Sequence, residues 1–431
     1  MLSAFRNAFK IPELRGKILF TVAIIAVYRL GSHLPVPGVD FVAVQNYLRN
    51  PAAQDPNGAF TLINLFSGGA LTQFAIFALG IMPYITSSII MQLLGVVIPR
   101  LEQLQKEGES GRKKIQQYTR YLTVFLALLQ SASIVQLAHN QGILPLDIFP
   151  GLTPGRFALA VLTLTAGTAL IMWLGELITA RGVGNGMSII IFSAIVARLP
   201  SEGANILRVN GPFIFGLVCF LGLLIIVAVI FVEQAQRRIP VQYAKRMVGR
   251  RMYGGQSTYI PLKVNQAGVI PIIFASSLLY IPVLLASIVN KQWLTDFVEQ
   301  FARSGSHPLY IITYFLLIIG FAYFYNSIAF NPVDTADNMK KYGGFIPGIR
   351  PGRPTAEYLQ FVLSRITLPG SIYLGIVAIL PNLFLELTGE GNNQNFPFGG
   401  TAVLIMVGVG LDTVKQIETQ LMQRNYEGFL R

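Results

Sequence analysis

Long apolar runs dominate the pattern of hydrophobic and polar positions along this chain. Ten stretches are apolar over enough length to cross the hydrocarbon core of a bilayer, which takes about 20 residues as an α-helix. Strands of a membrane β-barrel would instead show short segments of alternating hydrophobicity. The sequence therefore predicts an all-α polytopic membrane protein. The predicted spans are residues 18–36, 74–98, 119–138, 157–180, 185–200, 212–233, 267–289, 309–330, 366–386 and 400–420.

The positions of the basic residues test this count of spans. Lys and Arg concentrate in the cytoplasmic loops of membrane proteins. If the N-terminus is inside and the segments alternate, 26 of the 33 Lys and Arg lie in inner segments or at the inner ends of spans, whereas five lie in outer loops. Arg29 and Arg198 fall within spans. The alternation predicts that both termini are cytoplasmic.

Composition and the N-terminal region agree with a membrane protein. Of the 431 residues, 53% are hydrophobic and only 12% are charged, which is about half the charged fraction of a soluble domain. The first apolar run continues without a small-residue cleavage site, so it predicts an uncleaved span. Residues 2–10 fit either an amphipathic helix on the inner surface, stopped by Pro12, or a disordered basic tail.

Two stretches in the second and seventh predicted spans repeat one pattern. Residues 80–90 read GIMPYITSSII and residues 268–279 read GVIPIIFASSLL. These spans would cross the membrane in opposite directions, as in inverted repeats that build a pathway at the midplane; the alternative is coincidence among apolar residues. The repeat makes Ile85 and Ile273 equivalent. It predicts halves at 1–205 and 206–431, joined by a loop at 199–211.

Ionisable side chains are scarce within the predicted spans, although pumps and ion-coupled transporters need them there. Arg29 is expected to snorkel outward or to pair with a neighbour, and Glu176 to meet Arg181 or headgroup water. No Cys, His or acidic cluster in the sequence has metal-ligand spacing, and no phosphate-binding loop is present. The sequence therefore predicts no catalytic residue, cofactor or metal. Its single cysteine, Cys219, excludes a disulfide within the chain.

Two predicted cytoplasmic loops are long and basic. Residues 234–266 carry seven basic residues and no acidic ones, with tyrosines interleaved, and residues 331–365 add five more among glycines and prolines. Orientation in the membrane explains a few basic residues close to the spans. A 33-residue basic loop fits better as an arm that docks on an anionic partner, either nucleic acid or an acidic protein surface. The alternative for the second loop is a solvated loop that only sets topology.

Several stretches together resemble the SecY family, whose members form the central subunit of the bacterial protein-conducting channel. The resemblance extends over essentially the whole chain. It implies ten helices in two inverted, pseudo-symmetric halves of five around a central hourglass pore in the cytoplasmic membrane. The matching stretches are LFSGGAL, GIMPYI, EGESGRKKIQQYTRY, WLGELITARGVGNGMSIIIF, YAKRMVGRR, VNQAGVIPIIFASS and NPVDTADNMKKYGGFIPGIRPG.

The resemblance also assigns residues to the seal of the pore. Residues 60–72 match a plug, a short movable helix in the outer funnel, which includes Leu62, Ile63, Asn64, Leu65, Phe66, Ser67, Gly68 and Gly69. The family's constriction ring falls on Ile81, Ile85, Met187, Ile191, Ile273 and Ile405. The family usually has a β-branched aliphatic residue where Met187 stands, and methionine keeps that position apolar.

The resemblance implies a lateral gate between spans two/three and seven/eight, through which signal sequences and transmembrane segments reach the lipid. The matching polar residues are Thr86, Gln130, Ser276 and Ser277, and Pro83 and Pro271 are expected to weaken backbone hydrogen bonding in the two gate helices. The loops match those that bind the SecA motor or the ribosome, through Arg246, Arg250, Arg251 and Arg350. SecE and SecG are the small partner subunits that the family implies.

A secondary transporter with inverted repeats is the main rival from another functional class. It predicts an intramembrane charge or a site of unwound carbonyls. A membrane enzyme would need a catalytic pair within the spans, and the sequence offers none.

Overall fold

The computed structural model describes residues 11–39, 67–71, 73–139, 153–243, 246–248, 251–253, 257–289, 308–387 and 400–427. It is mostly helical, and each of the ten predicted span ranges contains a helix. The helices are α1 (Pro12–Gly31), α2 (Met82–Val97), α3 (Pro99–Lys106), α4 (Glu109–His139), α5 (Pro154–Arg181), α6 (Gly186–Gln234), α7 (Ile270–Val289), α8 (Pro308–Ala329), α9 (Pro332–Lys341), α10 (Arg353–Leu387) and α11 (Gly400–Glu427).

Membrane-spanning length can be judged for the described residues alone. Four helical segments are long and apolar enough to cross a bilayer: Pro154–Arg181, Gly211–Gln234, Pro308–Lys341 and Arg353–Leu380. A fifth candidate is the pair α2 and α3, which are bent by 105° relative to each other. The count of ten spans therefore stays a prediction.

The loop predicted at 199–211 is wrong for most of its length, because α6 runs through it as a helix. The only non-helical backbone inside α6 is at Gly211, where φ is +80° and ψ is 172°. Glycine reaches this region without the strain that a Cβ would add. Pro212 follows directly, and its fixed φ suits the start of the next helical segment. The predicted Asn-Gly-Pro turn is thus a sharp break rather than a loop.

The first predicted spans also differ at their ends. The α1 helix begins at Pro12, six residues before the predicted start, and ends at Gly31. In the second span, residues 74–81 form turns and one isolated bridge, from Ala75 to Pro35, and α2 begins only at Met82. Phe74 and Gly80 have φ of +43° and +56°, values that no α-helix contains. The N-terminal residues 2–10 lie outside the described residues.

The described parts of the two long basic loops contain five short strands. They are β1 (Gln236–Tyr243), β2 (Arg246–Val248), β3 (Arg251–Tyr253), β4 (Ser257–Lys263) and β5 (Gly344–Phe345). A three-stranded antiparallel sheet has the order β4-β1-β5, and β2 pairs with β3 in a separate ribbon. Ile239, Val241 and Leu262 from the sheet pack against Leu359 and Val362 of α10. The sheet is thereby fixed to a helix whose other end enters the predicted membrane region.

Two apolar clusters divide the helical core. One joins α1, α2, α5, the first part of α6, α7 and α11, and the other joins the second part of α6 with α7, α8, α10 and α11. In α7 and α11, neighbouring residues belong to different clusters. Ile273 and Ile405 belong to the first cluster, whereas Ile272 and Leu404 belong to the second. Successive residues of a helix point about 100° apart, so α7 and α11 link the two clusters.

Candidate functional site

The first apolar cluster, called here the ring cluster, contains all six residues predicted for the constriction. Ile81, Met187, Ile191, Ile273 and Ile405 are buried in it, and Ile85 packs against it while partly exposed. They come from α6, α7, α11 and the start of α2, which are far apart in the chain. The structure therefore brings residues of both predicted halves into one apolar site. Other buried members include Ile24, Tyr28, Ala70, Phe77, Ile178 and Ala194.

The two repeated motifs have the same local backbone. Gly80 and Gly268 have φ of +56° and +60°, and each is followed two residues later by the first residue of α2 or α7. The amide of Ile85 donates to the carbonyl of Ile81 at 3.1 Å, and the equivalent amide of Ile273 donates to Val269 at 3.3 Å. The sequence repeat is thus matched by a repeated joint before each helix.

The prediction that Pro83 and Pro271 weaken the gate helices is wrong. Each proline is the second residue of its helix, after Met82 in α2 and Ile270 in α7. The first N–H groups of a helix have no acceptor within it, so proline removes no hydrogen bond there and its fixed φ favours the start. The prolines therefore help to set where the two helices begin, beside the ring-cluster residues Ile81 and Ile273.

Met187 is held by a close approach between α5 and α6. Asn185 caps α6, and its Oδ1 accepts from the amide of Met187 at 3.1 Å. A Cβ added at Gly175 of α5 would clash with the Met187 sulfur, and one added at Gly186 would clash with the Gly175 carbonyl. Gly186 is therefore needed for the close approach of the two backbones, and Gly175 leaves room for the Met187 side chain in its present position. Gly175 was not among the predicted site residues, although it lies in the quoted WLGELITARGVGNG stretch.

The described end of the predicted plug lies against the ring cluster. Ser67 is completely buried and Ala70 is a member of the cluster. The Tyr28 hydroxyl donates to the Ser67 carbonyl at 3.2 Å, and Nη1 of Arg29 donates to the Gly68 carbonyl at 3.2 Å. Arg29 thus pairs with a neighbour, one of its two expected arrangements. Leu62, Ile63, Asn64, Leu65 and Phe66 lie outside the described residues.

The four predicted gate residues are all buried, on helices that contact one another. Thr86 lies on α2, Gln130 on α4, and Ser276 and Ser277 on α7; α7 contacts both α2 and α4. The hydroxyls of Thr86 and Ser276 donate within their own helices, to Met82 and Ile273 carbonyls at 3.0 and 2.9 Å. Ser277 Oγ is buried without a hydrogen-bond partner in the described structure.

The expected pairing of Glu176 with Arg181 is wrong. Glu176 Oε1 instead accepts from Nε of Arg120 at 2.8 Å and from Gln116 at 3.2 Å, both on α4. Arg181 lies five residues after Glu176 on the same helix, whereas α4 packs directly beside α5. This pair joins α4 to α5. Across the residues that the structure describes, no group of three His, Cys, Asp or Glu side chains could hold a metal ion.

The predicted docking arginines stand on the two basic loops. Arg350 is exposed and follows Ile349, which packs under the sheet. Its carbonyl accepts from the Thr355 hydroxyl at 2.8 Å, so the backbone is anchored while the guanidinium is free of the core. Arg246 and Arg251 lie in β2 and β3, where only the backbone is described, and Arg250 lies outside the described residues.

Relatives and solved structures resemble the chain over most of its length. Protein translocase subunit SecY of Mycobacterium tuberculosis is 60% identical over 441 aligned positions that cover 100% of both chains, and that of Streptomyces coelicolor is 59% identical over 442. A solved structure described as a protein conducting channel superposes with a TM-score of 0.65 at 19% identity, covering 94% of this chain and 91% of the other. Sec61 in a canine ribosome-channel complex gives 0.61 at 18% identity, with the same coverage.

These solved structures establish the fold, and the sequence relatives establish the family. The SecY family model matches residues 75–414, a range that includes the ring residues, the gate residues and both basic loops. The chain belongs to the SecY family.

Proposed function

We propose that this chain is a protein-conducting channel, through which unfolded polypeptides cross the bacterial cytoplasmic membrane. The observation that carries the proposal is the ring cluster: aliphatic side chains from both halves meet in one site, with the 67–71 segment against them. A translocating polypeptide presents every type of side chain, so a charged or selective lining would retain it. An apolar constriction binds no substrate specifically and blocks ions by dewetting when it is empty.

The plug and the gate complete this proposal. The plug, of which residues 67–71 lie against the ring cluster, moves away when a polypeptide enters. Apolar segments of the substrate leave sideways through the seam where α7 contacts α2 and α4. Neutral hydroxyl and amide groups such as Thr86, Gln130 and Ser276 suit a seam that must open, because interhelical hydrogen bonds in membranes contribute only about 1 kcal/mol each.

Partners supply the driving force, since the sequence holds no phosphate-binding loop. SecA or the ribosome docks on the basic loops, with Arg350 presented on its anchored backbone. A ribosome-channel complex with Sec61 is among the structures of similar fold. SecE and SecG are the small partner subunits, and both termini are cytoplasmic.

Cross-linking to a stalled secretory chain tests the pore. Single cysteines replace Ile81 and Ile405 in a Cys219→Ser background, and Ile376→Cys, 53% exposed on α10, is the matched control. We expect both ring cysteines to cross-link to the stalled chain and Ile376→Cys to fail. Cross-links at the control but not at the ring would refute the pore assignment.

Conductance distinguishes the channel from the rival transporter. Deletion of residues 61–70 should leave a leaky pore in a planar bilayer. A transporter carrying the same deletion should lose activity without conducting ions. The transporter proposal would be favoured if the deleted protein sealed the membrane as well as the intact chain.

A further inference from the structure

We propose that Tyr28 and Arg29 of α1 form a clamp that holds the plug in the closed channel, and that opening requires both of their hydrogen bonds to break. The proposal rests on the proposed function and adds positioning residues to it. Two adjacent side chains donate to two successive carbonyls, those of Ser67 and Gly68, at 3.2 Å each. A segment that leaves the ring cluster must therefore give up both bonds together.

Tyr28 is fixed in place before it donates. Its side chain is fully buried, and its ring stacks on Phe77 with centroids 5.7 Å apart and planes 9° from parallel. Its own carbonyl accepts from the Ser32 hydroxyl at 2.9 Å. Burial of a tyrosine hydroxyl requires a partner, and the Ser67 carbonyl is that partner. The bond is thus directed at the plug by a preorganised side chain.

Arg29 makes an unusual contact for a charge within a predicted span. A cationic side chain there is costly and is commonly kept for function. Nη1 of Arg29 donates to the Gly68 carbonyl, and no acidic side chain of the described part of the chain forms an ion pair with it. The hydrogen bond of the guanidinium therefore goes to the plug backbone, and it exists only while Gly68 stays in this position.

The plug backbone is shaped to receive the clamp. Gly68 and Gly69 have φ of +66° and +90°, and the Ser67 hydroxyl accepts from the Leu71 amide at 3.3 Å. This compact turn brings Gly68 so close to α6 that an added Cβ would lie 3.0 Å from Cα of Ala194. The two hydrogen bonds therefore hold the turn between α1 and α6, in contact with the ring cluster.

Two conservative substitutions test the clamp. Tyr28→Phe keeps the stacking on Phe77 and deletes only the donor, so the resting open probability should rise about fivefold. Arg29→Lys keeps the positive charge but loses the planar guanidinium and shortens the side chain, and should raise the open probability about tenfold, because bonds from charged donors are stronger. Tyr323→Phe, on an exposed face of α8, is the matched control and should match the unsubstituted chain. Single-channel recording of the full-length chain, with the subunits that co-purify, gives the open probability and the unitary conductance.

The two readouts separate a clamp from general destabilisation. The clamp predicts a higher open probability with an unchanged unitary conductance, because the ring residues are intact. The clamp is overturned, and the channel proposal stands, if Tyr28→Phe and Arg29→Lys both match the unsubstituted chain while deletion of residues 61–70 leaks. If the chain that lacks residues 61–70 also keeps the membrane sealed, the channel proposal itself fails.

Discussion

Ile405 is a ring residue that is only 1% exposed. Replacing it with valine and, separately, with alanine removes increasing amounts of buried apolar surface. Under the proposed function, this side chain is dry in the closed channel and faces water in an open one. Each buried methylene contributes about 0.8 kcal/mol to the closed state. Removing one carbon with Ile405→Val therefore costs about 0.8 kcal/mol, and removing three with Ile405→Ala costs about 2.4 kcal/mol.

These costs convert to open probability, since 1.4 kcal/mol is about a factor of ten. Ile405→Val should open the resting channel about fourfold more often, and Ile405→Ala about 50-fold. Recording in planar bilayers measures the ratio, and Ile376→Ala on the exposed side of α10 is the control of matched chemistry. Equal open probabilities for Ile405→Val and Ile405→Ala, or an equal rise in the control, would refute the reasoning.

Three further substitutions follow from close contacts. Gly175→Val places a side chain where Met187 packs, so the Met187 side chain must move within the ring cluster and the resting bilayer conductance should rise about tenfold, as expected for an overpacking cost of about 1–3 kcal/mol. Gly68→Ala strains a positive φ and meets α6, which should displace the 67–71 segment and raise the open probability severalfold. Asn265 donates to the buried Glu233 carboxylate at 2.5 Å, so Asn265→Ala should lower the free energy of unfolding by about 2 kcal/mol, measured in detergent.

Each of these has a control within the chain. Gly216 and Gly410 have open space around them, and an alanine at either should not affect conductance. The reasoning about Asn265 fails if Asn265→Ala in a Glu233→Gln background costs as much as it does alone, because the neutral side chain no longer needs the same donor. A sealed Gly175→Val channel would contradict the packing argument for Met187.

The positions of the helices could be predicted from the sequence, because most of the apolar runs are longer than a buried strand or a short core helix needs. The mostly helical architecture and the family are confirmed. The helix starts were harder to predict, because Pro83 suggested an interruption when read within a long apolar run. Only the backbone of the preceding glycine, in the left-handed region, reveals that the proline begins a helix.

Long-range partners could not be predicted from the sequence. Glu176 pairs with Arg120, 56 residues away, and nothing local distinguishes that arginine from Arg181. Tyr28 likewise reads as an ordinary apolar position of α1 until Ser67 is placed beside it. The alternation of Ile239 and Val241 did carry a strand signal for β1, but the surrounding basic residues and Pro240 concealed it.

The glycine joints before α2 and α7 would let the proposed constriction change its width. Ile85 and Ile273 each follow their glycine by five residues, a lever arm of about 7.5 Å along a helix. Pivoting by about 15° at such a joint shifts the isoleucine by about 2 Å, and glycine tolerates the change of dihedral angle. We therefore expect the aperture to widen around a tryptophan and to narrow around a glycine while the outer helices keep their packing.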